Sequence, residues 1–132
     1  MTDLLTRKDV EKDIKDLFGF VPEFYTALPD AAIGALWGIQ KELELKETVL
    51  DNKSKELVGL AMASHIKCKY CIYFHTRAAE LFGARPQEIR EAIAMGGVTA
   101  LFSNVISGTQ VDFDRFKRDV DRAVEHLSAK KR

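Results

Sequence analysis

The segment His65-Ile66-Lys67-Cys68-Lys69-Tyr70-Cys71-Ile72-Tyr73-Phe74-His75 contains both cysteines of the chain and two of its three histidines. Residues three or four apart on a helix share a face. Cys68, Cys71 and His75 would therefore present thiol, thiol and imidazole along one stripe. Such a stripe suits thiol–disulfide exchange. The imidazole accepts the Cys71 proton, directly or through a water, and Cys68 closes a disulfide on an oxidised or mixed-disulfide form of Cys71. A helix start adds a second effect, because its unpaired backbone N–H groups favour a thiolate. That effect selects Cys68 as the reactive thiol, whereas His75 selects Cys71. The residues alone leave both open.

Other chemistry is less well served. Cys68, Cys71 and His75, with His65 as a fourth ligand, form a set that zinc accepts, but one nearly continuous helix wraps a tetrahedral ion poorly. No metal and no bound cofactor is expected. Haem attachment requires histidine directly after the second cysteine, and Ile72 stands there. The blandest alternative is two small buried thiols beside a satisfied histidine. His65, three residues before Cys68, is placed either to tune that thiol or to sit buried and hydrogen-bonded. Lys67 and Lys69 flank Cys68 and would support a thiolate. Glu56 lies twelve residues before Cys68 and reads, by itself, as a first-turn acid complementing a helix dipole. Trp37 and Tyr73 fall in apolar helical stretches and read as core or interface; His126 reads as a surface residue.

The elements that must hold these residues are helical, because periods near 3.6 are common and strict alternation is scarce. Thr6 caps a first helix with Asp9 in its opening turn, and Gly19 ends it. Pro22 begins a short piece. Asp30 caps a helix carrying Ile33, Leu36, Trp37 and Leu43. Asp51 caps the next, which runs to Ile66. A helix from Cys68 stops at Gly83. Pro86 opens another that Gly96–Gly97 would end, with a further short helix over Val98–Ser107. The last spans about Asp112 to Leu127. The expected fold is all-α, a compact bundle of about seven or eight helices in a single domain over residues 1–132. Several segments are apolar around most of their circumference, so part of their cover is expected from another subunit.

Composition narrows the function. Twenty Lys plus Arg balance 20 Asp plus Glu, giving zero net charge, which leaves no electrostatic footprint for nucleic acid or an anionic membrane. No apolar run in the pattern approaches the roughly 18 to 20 residues of a membrane span, and Met1 to Glu11 holds no signal-peptide stretch. A cytoplasmic protein with reduced thiols follows as the expectation.

The pattern Glu56-x11-Cys68-x2-Cys71-x3-His75 resembles the signature of the alkylhydroperoxidase D-like group within the carboxymuconolactone decarboxylase superfamily. The flanks resemble it too: Leu50-Asp51-Asn52-Lys53-Ser54-Lys55 before the acid, His75-Thr76-Arg77-Ala78-Ala79 after the cysteines, and Gly83-Ala84-Arg85-Pro86 beyond them. The likeness covers about Ala31 to Ser107. It implies an all-helical fold assembled as a homotrimer or homohexamer, with thiol peroxidase or disulfide reductase activity. Carried over, Cys71 attacks a hydroperoxide; His75 and Glu56, through a water, form its proton relay. Cys68 completes the disulfide and exchanges with an external dithiol or disulfide-reductase partner. One position departs. The family pattern carries histidine immediately before the second cysteine, and Tyr70 stands there. A phenol supplies one hydrogen bond but is no near-neutral proton shuttle, which implies a shorter relay and weaker peroxidase turnover. The rival readings are a carboxymuconolactone decarboxylase-type enzyme, and a non-enzymatic helical subunit that binds zinc or senses redox state.

Overall fold

The computed structural model describes residues 5–131; residues 1–4 and 132 lie outside the described part. Within it every regular element is a helix. They are α1 (Arg7–Phe18), α2 (Glu23–Thr26), α3 (Asp30–Ile39), a π-helical turn (Gln40–Leu45), α4 (Asn52–Ile66), α5 (Lys69–Leu81), α6 (Pro86–Thr109) and α7 (Phe113–Lys130).

Local chemistry explains most boundaries. Thr6 and Asp9 form a reciprocal capping box at the start of α1, and Gly19 closes it in the left-handed region at φ 84°, where a residue without Cβ pays no penalty. The Asp51 carboxylate accepts from the Ser54 N–H at the start of α4. Pro86 occupies the first turn of α6, where its missing N–H costs nothing.

Two packing layers follow. Val10 and Ile14 of α1, Tyr25 of α2, and Ile33 and Trp37 of α3 form one buried cluster. Trp37 meets Phe18 and Tyr25 edge-on, at centroid distances of 5.5 and 5.7 Å. Its indole N–H donates to Asp13 at 2.7 Å, a carboxylate that also accepts from Lys41. In the second layer α4 lies against both α5 and α6, burying Leu60, Ala63 and Ala79.

Two expectations are corrected. Gly96–Gly97 does not end a helix, and Val98–Ser107 is no separate element; α6 runs unbroken through both. Glycine inside a helix costs about 1 kcal/mol relative to alanine, and the compensation is close approach. A Cβ at position 96 would lie 2.5 Å from the Ala61 carbonyl oxygen of α4. Unbroken, α6 has 24 residues and is long and apolar enough, by length and composition alone, to cross a bilayer. One side of it packs along α4. We expect Gly96→Ala to lower the free energy of unfolding by about 1–2 kcal/mol, overpacking against backbone outweighing the helix-propensity gain. Urea unfolding of the two proteins measures this.

Among the described residues most of the apolar stripe of α7 is uncovered: Phe113, Val120, Val124 and Leu127 are all exposed, as are Leu101, Phe102 and Val105 of α6.

Candidate active site

Between α4 and α5 the chain reverses over two residues. Lys67 takes a left-handed conformation, φ 58°, as the C-cap of α4. Cys68 follows in extended conformation as the N-cap of α5, and its sulfur accepts from the Cys71 N–H at 3.3 Å. Cys68 therefore stands just outside the helix and Cys71 in its first turn. The two are joined in a disulfide, with Cα atoms 5.3 Å apart. This places both sulfurs where free N–H groups and the helix dipole favour a thiolate.

The tight reversal lays α5 back along α4 and brings Glu56 to His75. Glu56 is fully buried, on the fifth residue of α4, and its Oε2 lies 2.7 Å from His75 Nδ1. A first-turn acid serving its own helix dipole is not what the structure shows. Gly59, one turn further along α4, makes room for the ring: a Cβ there would come within 2.5–2.8 Å of three imidazole atoms. The other oxygen of Glu56, Oε1, is buried without a hydrogen-bond partner. The hydrogen bond to Glu56 raises the His75 pKa above its ordinary 6.5, opposed by burial and helped by the charges of Glu56 and Glu44.

Glu44 escaped the sequence reading. The π-helical turn delivers it, and Glu44 Oε1 lies 3.8 Å from His75 Nδ1. The turn is anchored at both ends. Tyr25 donates its hydroxyl hydrogen bond to Gln40. On the other side Asn52 donates to the Leu45 carbonyl and Lys55 to those of Leu43 and Lys46. Burial raises the Glu44 pKa above the usual carboxylate range, and the Glu56 charge adds to it, against a lowering contact with Gln40.

Glu44, Glu56 and His75 bring ligand atoms within 4.8 Å of one another, a spacing that a divalent cation accepts. The direct hydrogen bond between His75 and Glu56 makes them a proton-sharing pair rather than an open ligand set. The disulfide-linked sulfurs offer no thiolate to a metal in this state.

Cys71, His75 and Glu44 open together on a groove of about 870 Å³ walled by Phe18, Phe24 and Tyr73. Tyr70 lines it too, with 76 % of its surface exposed. His65 is exposed and lines a different groove, between α4 and α6, with Met62 and Met95. Four sequence-selected residues thus converge, Glu56, Cys68, Cys71 and His75, with Tyr70 at the rim and His65 apart.

A sequence model of the carboxymuconolactone decarboxylase family matches residues 22–111. The chain belongs to this family. The match runs from α2 to the end of α6 and so includes Glu44, Glu56, both cysteines and His75. Among solved structures, the crystal structure of the alkylhydroperoxidase AhpD core from Rhodospirillum rubrum is similar. It is 28 % identical, covers 83 % of this chain and 83 % of that one, and superposes with a TM-score of 0.72. No curated protein matches. As a carboxymuconolactone decarboxylase family member with an AhpD-like fold, the chain is grouped with enzymes of the peroxidase-like or decarboxylase kind.

Proposed function

We propose that the protein is a thiol-dependent peroxidase or disulfide oxidoreductase that needs no bound cofactor. The observation that supports this most is a cysteine pair at a helix N-terminus beside a histidine held by a buried glutamate, with Cys71 and His75 opening on one groove. His75, oriented by Glu56, takes the Cys71 proton. The thiolate attacks the distal oxygen of a hydroperoxide; the S–O bond forms as the O–O bond breaks, leaving Cys71 a sulfenic acid and the substrate an alcohol. Cys68 condenses with the sulfenic acid, releases water and forms the disulfide. An external dithiol or disulfide-reductase partner then restores both thiols.

Ring decarboxylation requires no thiol pair, so a decarboxylase would keep its activity with both cysteines replaced by serine. The single domain is read as cytoplasmic and as a homotrimer or homohexamer. The uncovered apolar faces of α6 and α7 support an assembly, since large exposed apolar patches mark interfaces.

Titration tests the activity. Reduced protein given one equivalent of cumene hydroperoxide is expected to lose both of its two thiols and regain them with dithiothreitol. Persistence of free thiols under those conditions overturns the reading.

A further inference from the structure

We propose that Glu44, presented by the π-helical turn Gln40–Leu45, is the acid that protonates the leaving oxygen when Cys71 opens a hydroperoxide. The inference rests on the peroxidase reading above and assigns a residue that the cysteine–histidine pattern does not contain.

Three observations carry it. The first is backbone. π-Helical turns are rare and concentrate at functional sites, because the wider turn re-aims side chains that an α-helix would carry elsewhere. This one follows directly on α3 and ends the helical run at the extended Lys46, and both of its ends are held by hydrogen bonds from α2 and α4. The second is position. Among the described residues, Glu44 is the sole carboxyl lining the groove that Cys71 and His75 share. Glu56 is fully buried and does not line it. The third is the division of labour at the imidazole. Nδ1 holds one proton, and Glu56 at 2.7 Å claims that hydrogen bond; Glu44, at 3.8 Å, is left over. A carboxyl kept half-buried, beside a second carboxylate, and free of the imidazole is set to hold a proton of its own. Burial and the Glu56 charge push its pKa in that direction, against the Gln40 hydrogen bond and the His75 charge.

The step balances as follows. The Cys71 thiolate takes the distal O–H of the hydroperoxide, the O–O bond breaks, and sulfur is oxidised by two electrons as the peroxide is reduced. The departing alkoxide receives the Glu44 proton and leaves as an alcohol. Glu44, now a carboxylate, recovers a proton from solvent in the groove it lines, and His75 releases there the one it took from the thiol. No outside acid is consumed.

A leaving-group comparison tests the assignment. tert-Butyl hydroperoxide expels an alkoxide and needs an acid; peracetic acid expels a stable carboxylate and does not. Single-turnover oxidation of pre-reduced wild type and Glu44→Gln is measured with each oxidant. The variant is expected to lower the tert-butyl hydroperoxide rate relative to the peracetic acid rate by about a hundredfold. A purely structural role would slow both oxidants in the same proportion, and an unmoved ratio overturns the proposal. Wild type alone supplies a second measurement, independent of any variant. Its ratio is expected to exceed that of free cysteine by about tenfold or more; an equal ratio also overturns it. A wild type that reduces neither oxidant sinks the peroxidase reading itself, and this proposal with it.

Discussion

Cys71→Ser is expected to bring hydroperoxide consumption down to the uncatalysed background, and Cys68→Ser to stop after a single turnover. The two positions are chemically unequal. Cys71 lies in the first turn of α5 and opens on the groove, one helical turn from His75, whereas Cys68 stands at the N-cap and does not line the groove. A hydroxyl at position 71 leaves His75 nothing it can ionise near neutral pH. A hydroxyl at position 68 leaves the first chemical step intact and removes only the thiol that resolves the sulfenic acid. Mass spectrometry after one equivalent of cumene hydroperoxide reads the difference directly. Cys68→Ser gains one oxygen, trappable by dimedone, and Cys71→Ser gains none. An oxygen retained on the Cys71→Ser variant would reverse the roles. The pair is a weak staple in any case. A cross-link closing so short a loop stabilises by only about 2 kcal/mol, so its placement at a helix N-terminus is better explained by exchange than by tethering.

Parts of this molecule were legible in the sequence because they depend on local rules. Thr6, Gly19, Asp51 and Pro86 each satisfy or close a helix end through their own neighbours, and a cap motif reads the same in any context. The cysteine–histidine stripe is also local, though Cys68 proved to be the cap rather than a helical residue. What escaped depends on contacts made elsewhere. Gly96–Gly97 reads as a stop until the Ala61 carbonyl shows what the missing Cβ admits. Gly59 looks like any helical glycine until the His75 ring lies over it. Glu56 looks like a solvated first-turn acid because burial is invisible in a single sequence; only the likeness to the family singled it out. Glu44, between Leu43 and Leu45 in a charge-rich stretch, carries no motif at all. Its direction is set by a π-turn whose anchors, Tyr25, Asn52 and Lys55, lie up to 19 residues away.

Glu56→Gln is expected to separate function from stability. The substitution keeps the side-chain shape and a hydrogen-bond acceptor for His75 Nδ1 but removes the charge. The hydrogen bond His75 donates to Glu56 is the main reason the His75 pKa stands above 6.5, so in the variant it falls back toward that value. His75 then accepts the Cys71 proton at lower pH, and the acid limb of single-turnover thiol oxidation moves down. The base is also weaker and no longer held by a charge, and the plateau rate drops by about a hundredfold or more. Stability responds differently. A histidine whose folded pKa is raised contributes stability that is fully present below its unfolded pKa and fades as pH rises through the folded one. That contribution vanishes in the variant, so the stability difference between the two proteins is largest on the acid side. Glu56 itself is fully buried, and its Oε1 has no partner. The amide that replaces it carries no charge to desolvate but buries an NH2 group without a partner. Urea unfolding across pH, run beside the oxidation kinetics, is therefore expected to show a slow enzyme whose stability deficit is largest in acid and shrinks toward mild alkali. An acid limb that stays in place would remove Glu56 from the relay, whatever the stability curve shows.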